Sequence, residues 1–119
     1  MVLRGLHMLL DLEPDMRVCG DAASVAGAKR RIADLDPDLV IVDLSLGDGD
    51  GFELMKWLRR HHPRIKLLVF TAHGGLAFAE RAFRCGAQGY VVKYHGAGEL
   101  LGAIRLVMRN QHYLSSEVA

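Results

Sequence analysis

A chain of 119 residues, half of them apolar, suits one globular domain that buries about two-thirds of its unfolded surface, and is too apolar for a disordered tract. Fifteen Lys and Arg are dispersed among fourteen Asp and Glu for a net charge of +1, so no basic stripe marks a nucleic-acid backbone as the partner of this segment. The opening Met1 to Leu12 is interrupted by Arg4, His7 and Asp11 and is too short to span a bilayer, while Cys19 and Cys85 show no CxxC or histidine spacing suited to zinc; a cytoplasmic protein with reduced thiols and no membrane contact is expected.

Strand and helix periods alternate along the chain. Arg17 to Ala22 reads as a short strand, followed by Ser24 as an N-cap and a helix whose apolar positions Val25, Ala28, Ile32 and Leu35 recur at helical spacing until Pro37. Leu39-Val40-Ile41-Val42 is a continuous apolar strand that ends on Asp43, and a loop rich in glycine and aspartate leads from Leu44 to Gly51. The next helix starts near Gly51, turns Phe52, Met55 and Leu58 inward, and stops at His61-His62-Pro63. A strand from Leu67 ends on Thr71. Gly74-Gly75 then opens a helix through Phe78, Ala82 and Phe83 that Gly86 terminates. The strand Gly89 to Lys93 follows, and a last helix from about Gly98 to Asn110 buries Leu100, Ile104 and Val107, with Leu101 and Met108 widening the stripe.

Strands alternating with helices imply right-handed crossovers and a parallel sheet covered on both faces, hence a doubly wound α/β fold. In such sheets the chemistry sits at the C-terminal strand ends. Three strands here end in a carboxylate, a hydroxyl and a cation: Asp43, Thr71 and Lys93 are expected to converge on one edge.

The strings Pro37-Asp38-Leu39-Val40-Ile41-Val42-Asp43-Leu44-Ser45-Leu46, Asp48-Gly49-Asp50-Gly51, Phe70-Thr71-Ala72 and Gly86-Ala87-Gln88-Gly89-Tyr90-Val91-Val92-Lys93, in this order, resemble a bacterial two-component response-regulator receiver domain. The likeness spans residues 1–119 and is to the NarL/FixJ (LuxR-associated) type, down to the tail Tyr113-Leu114-Ser115-Ser116-Glu117-Val118-Ala119. It implies a flavodoxin-like sheet and a phosphoacceptor role for Asp43, charged by a sensor histidine kinase, rather than an enzyme in the ordinary sense. It also implies that Thr71 and Lys93 hold phosphoryl oxygens, that Tyr90 switches with Thr71, and that Mg²⁺ is held by Asp43 and the Ser45 backbone carbonyl.

The resemblance further implies a first strand carrying an acidic pair that holds Mg²⁺, yet Met1 to Leu6 already matches the start of the first helix. The expected sheet, of order 2-1-3-4-5, is therefore short of its central strand. Met1 as an internal methionine of a longer protein would explain this, and a slid second strand or a swapped homodimer would close the gap; Mg²⁺ binding is weakened or lost, with Asp21 read as a solvent-facing loop acid rather than as a substitute ligand. Gly47 stands where the family has proline, Asp48 and Asp50 read as turn and helix-start residues, and His73 as a rim or solvated loop histidine. A DNA-binding domain is expected only beyond Ala119, in a longer protein controlling transcription.

Taken singly, Asp43 reads also as a strand-end acid, Thr71 as a hydroxyl bonded to backbone, Lys93 as a solvated lysine and Tyr90 as core packing. His61 and His62 suit a helix C-terminus, and Lys29-Arg30-Arg31 a wet helix face. A haloacid-dehalogenase-type phosphatase would want an acid where Ser45 stands, and a flavodoxin-like flavin binder a phosphate loop that the chain lacks. The competing reading is a receiver-shaped interaction module or inactive fragment that works without phosphorylation.

Overall fold

The computed structural model describes residues 10–44, 51–72, 74–93, 97–116 and 118. Helix α1 spans Val25–Leu35 because Ser24, in extended conformation, caps it by accepting the Gly27 N–H at 3.1 Å, while Ala28 and Ile32 recur on the buried face. It ends two residues before Pro37: the C-cap Asp36 adopts a left-handed conformation (φ 47°) and returns its N–H to the Ile32 carbonyl. Removing the cap hydroxyl in Ser24→Ala is expected to cost about 1 kcal/mol, read as a lowering of the thermal midpoint by a few degrees.

Strand β1 is Leu39–Val42, helix α2 Gly51–His61, strand β2 Lys66–Thr71, helix α3 Leu76–Arg84 and strand β3 Gly89–Val92. Helix α4 is Ala97–Met108, and a two-residue strand β4, Tyr113–Leu114, follows. Among the described residues, all strands are parallel in the order β1-β2-β3-β4, with Val42 opposite Val69 and Thr71 opposite Val92. The register aligns the C-terminal ends of β1, β2 and β3 at one edge, as expected.

Side-chain alternation splits each strand between two cores. Val42, Leu67, Val69, Tyr90 and Val92 pack with Ile32, Phe52, Met55, Leu58 and Ala82 beneath α1, α2 and α3. Ile41, Leu68, Phe70 and Val91 pack on the opposite face with Leu100, Ala103, Ile104 and Val107 of α4 and with Leu10. Burial on both faces is why these strands read as continuous apolar runs.

Two expectations are corrected. Arg17–Ala22 forms no strand among the described residues; a groove of about 500 Å³, lined by Met16, Val18, Leu39, Ile41 and Ile104 among others, runs beside β1 and this segment. Extended backbone becomes a strand only where a second edge meets its donors and acceptors; the Val18 N–H instead donates to Asp11 Oδ1 at 3.2 Å. Strand β4 was not foreseen. It is too short for an alternation signal, and it forms because Tyr113 and Ser115 donate their N–H groups to the carbonyls of Gln88 and Tyr90.

Candidate functional site at the strand ends

Asp43 is one residue past the last ladder pair of β1 and Lys93 one residue past that of β3. Their side chains meet across the end of β2: Lys93 Nζ donates to Asp43 Oδ2. The carboxylate is almost wholly buried, with its side chain 2% exposed, whereas the lysine side chain keeps 20% exposure, so water reaches the ammonium side of the pair. The Lys93 ammonium also stands 5.7 Å from the centre of the Phe70 ring. A buried carboxylate demands compensation, and the ammonium supplies it. Chemically, this is a carboxylate oxygen beside an ammonium that can compensate negative charge at the end of the sheet.

Thr71 closes β2, fully buried, opposite Val92 and therefore beside the turn to Lys93. Tyr90 is also fully buried, opposite Val69 in the α1–α3 core. Burial pushes its hydroxyl up to about 12. Below pH 10 both folded and unfolded tyrosine are protonated. Between about 10 and 12 the unfolded chain loses this proton while Tyr90 keeps it, so the native state binds more protons and stability falls as pH rises. Tyr90→Phe is expected to flatten that alkaline limb by about 1 to 2 kcal/mol, measured as urea midpoints on either side of pH 10.

Ser45, His73, Gly47, Asp48 and Asp50 lie outside the described residues. Asp21 is exposed on the rim of a small cavity beside β1, with Gly20, Ala22 and Val40. Among the described residues no group of three His, Cys, Asp or Glu side chains gathers around a metal position. Asp43, with one oxygen already facing an ammonium, does not by itself furnish the near-octahedral oxygen set that Mg²⁺ requires. The described donors thus do not fit this ion. His61 and His62 lean on the Trp57 ring at 5.4 and 5.1 Å between ring centres, as packing residues at the end of α2.

Sequence reasoning missed two groups beside the site. Ser115, buried, accepts the Val92 N–H at 3.0 Å through its hydroxyl, which in turn donates to Glu99 on α4. In the sequence Ser115 stands only within the tail Tyr113 to Ala119, whose family likeness assigns it no role.

The description Response regulator receiver domain matches residues 1–105. The chain belongs to this family. The receiver domain is 36% identical over 118 residues to the DNA-binding transcriptional activator DevR/DosR of Mycobacterium tuberculosis, covering 99% of this chain and 54% of that protein. It superposes with a TM-score of 0.90 on a LuxR-family two-component response regulator from Aurantimonas sp. SI85-9A1, at 33% identity, covering 96% of this chain and 81% of the other. RcsB from Salmonella enterica serovar Typhimurium, solved bound to promoter P1flhDC in the presence of phosphomimetic BeF3-, matches with a TM-score of 0.84 at 25% identity over 96% of this chain and 57% of RcsB. The chain spans about half the length of the curated relatives it matches. Receiver domains of this family are phosphoacceptors that switch on phosphorylation, and they generally bind Mg²⁺. No helix among the described residues is long and apolar enough to cross a membrane.

Proposed function

We propose that residues 1–119 form one receiver domain that takes a phosphoryl group on Asp43 from the phosphohistidine of a sensor kinase. The observation that carries this reading is the buried Asp43 carboxylate paired with Lys93 at the end of a parallel sheet. One Asp43 oxygen attacks phosphorus; the new O–P bond forms as the bond to the donor nitrogen breaks, and the proton taken up by the departing imidazole comes from solvent. Charge then spreads over three phosphoryl oxygens. Lys93, held by its position after β3, takes one of them, and Thr71 at the end of β2 donates its hydroxyl to another. Tyr90 switches with Thr71, its rotamer reporting the state of that hydroxyl. The likeness to DNA-binding regulators supports transcriptional control, in the cytoplasm, by the longer protein to which such a domain belongs.

A homodimer completes the proposal. The groove beside β1 has room for an extended apolar segment, and a strand exchanged with a second copy is the form of dimer it supports. A receiver-shaped interaction module or inactive fragment that works without phosphorylation is the second reading, favoured by the finding that no three His, Cys, Asp or Glu side chains among the described residues gather around a cation position. Incubation with Mg²⁺ and acetyl phosphate, read by intact mass, separates the two. A phosphoryl-sized gain supports the phosphoacceptor. No gain, under conditions in which a receiver of known activity is modified, overturns it.

A further inference from the structure

We infer that Ser115 is a positioning residue for Lys93, and that it ties the Asp43–Lys93 pair to the turn at residues 115–118. The functional meaning of this inference rests on the phosphoacceptor reading of Asp43; the geometry does not.

The hydrogen-bond sequence along the outer side of β3 is regular until it reaches the site. Tyr113 N–H donates to Gln88 C=O and Ser115 N–H to Tyr90 C=O, both at 2.9 Å. In a parallel ladder the next bond would run from the Val92 N–H to the Ser115 carbonyl. Here the Ser115 hydroxyl takes that N–H instead, at 3.0 Å, and the Ser115 carbonyl accepts from the Val118 N–H at 3.2 Å. One residue thus ends the sheet with its side chain and turns the chain with its backbone.

The substitution occurs at Val92, the last residue of β3, immediately before Lys93. A hydroxyl has one proton, and Ser115 gives it to Glu99 in the first turn of α4, which leaves its lone pairs aimed at the Val92 N–H. Val92 and Glu99 bracket Lys93 in sequence, so the serine fixes the chain on both sides of the lysine. The buried location of Ser115, 2% exposed, keeps water from replacing either bond. Any displacement of Lys93 toward a charged group on Asp43 therefore loads the Val92–Ser115 bond, and through it the turn that ends at Val118.

The test is the chemical reactivity of individual lysines, which needs no phosphate. Trace acylation with an amine-reactive ester, quantified by peptide mass spectrometry, is compared across the natural chain, Ser115→Ala, Glu99→Ala, Glu99→Gln and Asp43→Asn. Asp43→Asn removes the carboxylate charge that faces Lys93 and sets the reference level for loss of that ion pair. Ser115→Ala is expected to raise Lys93 labelling about threefold or more, the factor that corresponds to loss of one ordinary hydrogen bond. Glu99→Ala, on a half-buried and more tolerant side chain, is expected to move in the same direction, and Glu99→Gln, which keeps an acceptor oxygen, to stay near the natural chain. Lys29, Lys56 and Lys66 are the internal controls. Lys93 labelling unchanged in both Ser115→Ala and Glu99→Ala, or a rise shared equally by all four lysines, overturns the inference. Acetyl phosphate uptake is measured on the same samples: a Lys93-specific rise in a chain that accepts no phosphoryl group would leave Ser115 as the positioning residue and remove the phosphoacceptor reading alone.

Discussion

Asp43→Asn is expected to abolish the phosphoryl-sized mass gain that the phosphoacceptor proposal expects of the natural chain with Mg²⁺ and acetyl phosphate, a reduction of at least about a hundredfold. The two side chains are nearly isosteric, so the pocket at the end of β1 keeps its shape. What changes is the nucleophile: a carboxylate oxygen forms an acyl phosphate as the donor's O–P bond breaks and acetate departs, whereas a neutral amide oxygen has no comparable basicity. The substitution also removes the partner of the Lys93 ammonium. Lys93 keeps a route to water through its exposed fifth, and the cost of holding a charge at a nearly sealed position disappears with the carboxylate. These effects oppose one another, and the stability change is expected to stay within about 1 kcal/mol. A folded Asp43→Asn variant without the gain, beside a natural chain that has it, assigns the chemistry to this residue. A gain of equal size in both would place the phosphoryl group elsewhere and remove Asp43 from the mechanism.

The parts of the site legible in the sequence are those that a strand must expose at its tip. Asp43, Thr71 and Lys93 each follow an apolar run whose length sets where the strand ends, and burial on two faces made those runs continuous. The pairing of Asp43 with Lys93 was legible because parallel strands with short crossovers finish on one side of the sheet. The strand expected at Arg17–Ala22 illustrates the opposite case. Its composition suits an extended chain, yet a ladder depends on what lies alongside, and among the described residues that is a groove. Ser115 was hidden for a related reason: its role comes from replacing a carbonyl in a ladder that only the folded register creates. Helix ends fall between these extremes. Ser24 and Gly86 signal through local backbone chemistry, whereas Asp36, which ends α1 in a left-handed conformation, is outcompeted in a sequence reading by the more conspicuous Pro37.

Gly86→Ala is expected to destabilise the domain by about 2 to 4 kcal/mol, a fall in thermal midpoint on the order of 10 °C. Two separate mechanisms add here. Gly86 follows α3 with φ at 101°, a conformation that an L side chain rarely adopts. A methyl group built on it would also overlap Cγ and Cδ of Arg59. That arginine cannot easily move aside, because its guanidinium donates to the Ile65 carbonyl and, at 3.3 Å, to the Pro63 carbonyl, which ties the end of α2 to the start of β2. Burial lowers the pKa of the guanidinium, and its buried Nε finds no hydrogen-bond partner, so the side chain is already costly to hold. The two mechanisms separate in a double-mutant cycle. Arg59→Ala removes the overlap but leaves the backbone strain, so Gly86→Ala should cost about 1 to 3 kcal/mol less in that background than in the natural chain. Equal costs in the two backgrounds, measured by urea unfolding, would show that the conformation of Gly86 alone sets the penalty and that Arg59 yields without resistance.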